Sequence, residues 1–133
     1  MSFAGINYIA VIVAAVAGFA VGAAWYTALG NAWMAALGKT RDDFRPSPIP
    51  YVIAGIAHLV MAYLLAGAIG HMGPVTVEAG LLAGFFLWLG FVLTTMAVNH
   101  AFQGARRTLT LIDSGHWLAV ILVMGAVIGA FGV

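Results

Sequence analysis

Four apolar runs, approximately Asn7–Leu29, Tyr51–Ile69, Val75–His100 and Leu109–Phe131, occupy most of the chain. A helix rises about 1.5 Å per residue, so about 20 apolar residues cross the hydrocarbon core of a bilayer. Each run meets or approaches that length. Only helices and closed barrels satisfy every backbone polar group in lipid. The runs lack period-two alternation, which leaves helices. The expected fold class is an all-α membrane protein: a bundle of four transmembrane helices forming one domain over residues 1–133.

Composition agrees. Of all residues 64% are hydrophobic and 7% charged, where a soluble domain carries roughly 25% charged residues. There is no cysteine, hence no disulfide framework or thiol chemistry. A net charge of +1 gives no reason to expect a nucleic-acid partner. Membrane lipid is the expected partner. The first 24 residues hold no Lys or Arg, so the first run reads as a retained helix rather than a signal peptide.

Residues 30–50 form the one substantial connector. Asn31–Leu37 reads as a short helix lying at the interface, with Trp33, Met34 and Leu37 toward lipid. Gly38 would end it. Thr40 and Asp43 have the spacing of an imperfect capping box. Pro46, Pro48 and Pro50 stiffen the entry into helix two. Lys39, Arg41 and Arg45 lie in this connector, and Arg106 and Arg107 lie between helices three and four. In a four-span chain these connectors share a side, which the positive-inside rule makes cytoplasmic. Both termini then face the non-cytoplasmic side, and the expected location is the bacterial inner membrane.

Glycines four apart recur: Gly18 and Gly22, Gly80 and Gly84, Gly125 and Gly129. Such pairs smooth a helix face for close approach. Spacing leaves open whether they pack within one chain or drive self-association.

The topology places scattered polar residues at comparable depth. His58 lies about 10 Å beyond Tyr51 in helix two, and His116 about 10 Å beyond Leu109 in helix four. Asp113, three residues before His116, shares its face. Trp25 and Tyr26 end helix one on the same side, and Asn99 and His100 end helix three. These residues form an expected polar cluster in the cytoplasmic half, with Trp25, Tyr26, His58, Asn99, Asp113 and His116 as ligand-binding candidates. An ionisable group at that depth faces the bundle interior. Plainer roles compete: Trp25 and Tyr26 as interface anchors, His58 as an interhelical hydrogen-bonder, Asp113 as a helix cap or a partner of Arg106 or Arg107. Imidazoles with a carboxylate are a usable zinc or iron set. No motif such as HExxH fixes that geometry, and no cofactor or metal is expected. Ser114 and His116 stand two apart and do not make a nucleophile–base pair.

Three blocks carry a family resemblance. The first is "INYIAVIVAAVAGFAVGAAWYTALGNAWMAALGKT", with Asn7, Gly22, Trp25, Tyr26, Trp33 and Gly38. The second is "GLLAGFFLWLGFVLTTMAVNHAF", with Gly84, Trp88, Gly90, Phe91 and Thr94. The third is "LIDSGHWLAVILVMGAVIG", with Asp113, Gly115 and Gly125. Together they resemble the bacterial membrane family known as domain of unknown function 1761. The resemblance implies a small four-helix membrane protein without implying an activity. It weights Trp25, Tyr26, Asn99 and Asp113 above the histidines: members carry Tyr where this chain has His116, and His58 lies outside the blocks. Two functions remain in balance, a binding or transport-related protein and a structural scaffold of a membrane complex. A membrane-embedded enzyme ranks behind both, because no complete set of catalytic groups is legible.

Overall fold

The computed structural model describes residues 3–132; the ends of the expected 1–133 unit, residues 1, 2 and 133, lie outside the described residues. Among the described residues there are four long helices and no strand. They are α1 (Tyr8–Leu37), α2 (Ile49–Met72), α3 (Val77–Gln103) and α4 (Arg107–Phe131), all long and apolar enough to cross a membrane.

Helix α1 departs from the expected pattern. It has 30 residues and runs through Gly30 and Asn31 without a break, so the separate interface helix over Asn31–Leu37 does not exist. A Cβ at Gly30 would meet nothing within 4 Å; the glycine marks no close approach and no turn. Ala32, Ala35 and Ala36 favour helix, and Ala36 is buried beside Leu109 and Ile112 of α4. Asn7 caps the start, its side chain accepting from the Ala10 N–H. Gly38 closes the other end in the left-handed conformation at φ 69°, while Lys39 N–H donates to Met34 O. That pairing is a Schellman closure, and it recurs at Gly104 after α3.

Helix α3 is α-helical over Val77–Leu87, widens to π-helical hydrogen bonding over Trp88–Leu93, and returns to α over Thr94–Gln103. The widening changes which side chains the second half turns toward α4.

Helix α4 is the hub. It runs antiparallel to α1, with Gly18 beneath Met124 and Val120, Gly22 beneath His116, and Trp25 beneath Gly115. It also runs antiparallel to α3, where a Cβ at Gly80 would collide with Gly125 O and one at Gly129 with Thr76 O. Gly84 sits against Ile121. All three glycine pairs are thus occupied inside the chain. Two indoles fasten α4 further. Trp25 Nε1 donates to Ile112 O at 3.1 Å, and Trp88 Nε1 to Ser114 O at 2.8 Å. Each carbonyl has a second lone pair to accept such a bond beyond its helical one.

Helix α2 joins this core through one end. Ala62, Leu65, Ala66 and Ile69 pack with Val11, Ala14 and Ala15 of α1. Its first buried residue is His58, so the turns before it stand off the bundle. The ends of α1 and α3 and the starts of α2 and α4 lie together. Arg106 bridges them, donating from Nη1 to Ala35 O at 2.6 Å. This end carries Lys39, Arg41, Arg45, Arg106 and Arg107.

Candidate functional site

The stand-off of α2 leaves a cleft of about 520 Å³ between α1, α2 and α4. Exposed Ala23, Thr27, Pro50 and Tyr51 border it, so it opens on the flank of the bundle. Its inner wall is an aromatic succession. The Phe19 and His58 rings lie 5.6 Å apart and His58 and Trp117 5.5 Å. His116 lies 4.6 Å from Trp117 and 4.8 Å from Tyr26. Tyr26 meets Trp33 at 5.5 Å, and Trp33 stacks on Phe44 at 5.4 Å. Lys39 Nζ then sits 5.6 Å over the Phe44 ring.

Each element supplies its part for a local reason. Gly22 leaves room for His116, whose Nε2 would lie 2.8 Å from a Cβ there. Gly18 does the same for the His58 ring, with Cδ2 at 3.2 Å. His58 Nδ1 lies 2.6 Å from Ala54 O one turn earlier. Tyr26 donates its phenol proton to Asp113 Oδ1 at 2.6 Å. The Thr27 hydroxyl donates to Ala23 O at 2.6 Å, so that border residue is satisfied within its own helix.

The six candidate residues separate into distinct places. Tyr26, His58 and His116 line the cleft. Asp113 stands behind Tyr26 as its acceptor. It lies inside α4, which begins at Arg107, so it is not the helix cap, and its partner is a phenol rather than an arginine. Trp25 is committed to Ile112 O and to packing on Gly115, outside the cleft. Asn99 is exposed on α3 and does not join the other five. His100 instead bonds across to α4, its Nδ1 2.8 Å from Thr110 Oγ1.

Trp117, Phe19 and Tyr51 were not singled out as site residues from sequence, and Trp33, expected toward lipid, lines the cleft instead. Trp117 alone had a signal, its place directly after His116. The other three look like ordinary apolar or interface residues until α2 is seen to stand away.

Among the described residues, two buried side-chain nitrogens have no hydrogen-bond partner: His58 Nε2 and His116 Nδ1. Both residues are nearly sealed from solvent, at 4% and 6% exposure. Buried polar atoms are nearly always paired; these two are exceptions, and both belong to residues that line the cleft. The Ser114 hydroxyl contributes nothing here, lying 3.5 Å from Leu111 O of its own helix.

Fold and cleft together define a small all-α protein with four candidate membrane spans around a flank-opening, aromatic-walled site. The chain belongs to the family described as protein of unknown function (DUF1761), whose model matches residues 9–129, nearly its whole length. No curated protein and no solved structure matches it significantly.

Proposed function

We propose that this protein is a binding or transport-related protein of the bacterial inner membrane that takes a small, mainly apolar molecule into the cleft. The basic end faces the cytoplasm and both termini face away, as the positive-inside rule implies for five basic residues at one end. The molecule enters sideways from the lipid, past Ala23, Thr27 and Tyr51. Tyr26, His58 and His116 contact it, and Asp113 fixes the direction of the Tyr26 phenol.

One observation carries this reading: a cleft of about 520 Å³ with aromatic walls, in which Tyr26, His58 and His116 are among the lining residues. Ligand sites have this size and this make-up, mostly apolar with a few polar groups.

Native mass spectrometry from lipid nanodiscs tests the proposal. The wild-type protein should retain a small molecule. Ala54→Trp, which fills the cleft from its α2 wall, should lose it. Identical spectra from the two proteins would overturn the reading.

A further inference from the structure

The cleft has a length and a direction. Its α1 wall is Phe19, Gly22, Ala23, Tyr26, Thr27 and Trp33. Each stands three, four or seven residues from another, so all lie along one face of the helix. At about 1.5 Å per residue that stripe runs about 20 Å, more than one leaflet of a bilayer whose hydrocarbon core is about 30 Å thick. The cleft is thus a groove along the bundle axis. Polar atoms interrupt it little: His58 Nε2 and His116 Nδ1 are buried within the wall, His116 Nε2 lies against Gly22, and the Tyr26 phenol is spent on Asp113. The inner end lies at Phe19 and His58. The outer end is Trp33, which stacks on Phe44, and the Lys39 ammonium sits over that ring. Residues 39–45 and 104–107, which close this end, hold five basic side chains and only two acidic ones, Asp42 and Asp43. Asp43 Oδ2 already accepts from the Thr40 N–H and hydroxyl.

From this we infer that the cleft takes a single-chain anionic amphiphile of the fatty-acid kind, its carboxylate beside Lys39 and its alkyl chain running past Trp33 and Tyr26 toward Phe19 and His58. The inference rests on the cleft being a binding site for a small molecule and adds the class of ligand. An alkyl chain needs no hydrogen-bond partner and gains from contact with the ring walls along its whole length. The charged head stays at the outer end, beside exposed Lys39, where it keeps water and gains the attraction of the basic residues. The flank opening lets the chain slide in from the lipid without lifting the head out of the interface. A neutral alcohol of the same length fills the same walls and gains nothing from the charge of Lys39.

The test compares dodecanoate with dodecanol, equal in chain and different in charge. Each displaces the neutral fluorophore 1-aminoanthracene from wild-type protein in phosphatidylcholine nanodiscs, at low salt and at a pH that ionises the acid. Concentrations are those within the lipid, measured with empty nanodiscs. Dodecanoate should displace at about fivefold lower concentration. Lys39→Gln should bring the two within about twofold, Lys39→Arg should keep the gap, and raised salt should narrow it for the wild type. Equal displacement by both compounds from wild type would overturn the inference while leaving a binding cleft. A gap that survives Lys39→Gln would overturn it too, placing the carboxylate elsewhere on the wall. Phosphatidylglycerol doped into the nanodiscs should displace no better than phosphatidylcholine; displacement matching that of dodecanoate would overturn the single-chain assignment in favour of a bilayer lipid. Failure of the fluorophore and both compounds to bind would overturn the cleft reading itself.

Discussion

The Tyr26 phenol donates to Asp113 Oδ1 at 2.6 Å, joining α1 to α4 across 87 positions of sequence. The bond answers why an otherwise apolar helix carries an acid: the carboxylate is turned inward and has a dedicated donor. Tyr26→Phe leaves it half-buried without that donor and should destabilise the fold by about 1–3 kcal/mol. Asp113→Asn keeps an oxygen to accept the bond and should cost less. Reversible unfolding in mixed micelles, followed by circular dichroism, measures both; an equal or larger loss for Asn would contradict this account.

The glycine contacts make a sharper contrast. A Cβ at Gly80 would overlap Gly125 O, backbone against backbone, whereas one at Gly90 would meet nothing within 4 Å. Gly80→Ala should therefore cost about 3 kcal/mol, the upper end of ordinary overpacking. Gly90→Ala should be neutral or slightly stabilising within the chain. The same unfolding assay ranks them, and comparable effects would mean that α3 and α4 do not meet as described.

The turn after α1 gives a pH prediction. The Thr40 backbone N–H donates to Asp43 Oδ2 at 2.7 Å and its hydroxyl at 3.2 Å. These bonds hold the Asp43 carboxyl below its ordinary range. A lowered folded value means that the contribution is present above the unfolded carboxylate value and is lost as pH falls through the folded one. The Thr40 amide proton should move upfield in NMR spectra as Asp43 takes up its proton, with a midpoint below that of a free aspartate. A midpoint at or above the free value would remove the bond from the account.

Orientation is testable because the chain has no cysteine of its own. In intact cells an impermeant thiol reagent should label Met72→Cys, at the far end of α2, and should miss Thr40→Cys. The opposite pattern would invert the proposed orientation.

The four long helices were legible because length and apolarity alone decide them. The end of α1 was not: Gly30–Asn31 reads as a break, and only the packing of Ala36 on Leu109 and Ile112 shows why the helix continues. Depth along a helix was also legible, which is how His58 and His116 were matched before any contact was known. Facing was harder. Asn99 shares the depth of the cluster, yet its orientation depends on the π-helical stretch Trp88–Leu93, which the local sequence does not announce. The cleft itself was invisible, because it arises from where α2 begins to touch α1, at His58 rather than at Tyr51.

The central claim is that this cleft holds a small apolar molecule, and saturable binding measures it most directly. Wild-type protein and Ala54→Trp are titrated with 1-aminoanthracene in nanodiscs, with empty nanodiscs as background. The account predicts a saturating signal near one probe per wild-type chain and only the background signal for Ala54→Trp. Indistinguishable titrations of the two proteins, or no saturation above the background, would contradict it.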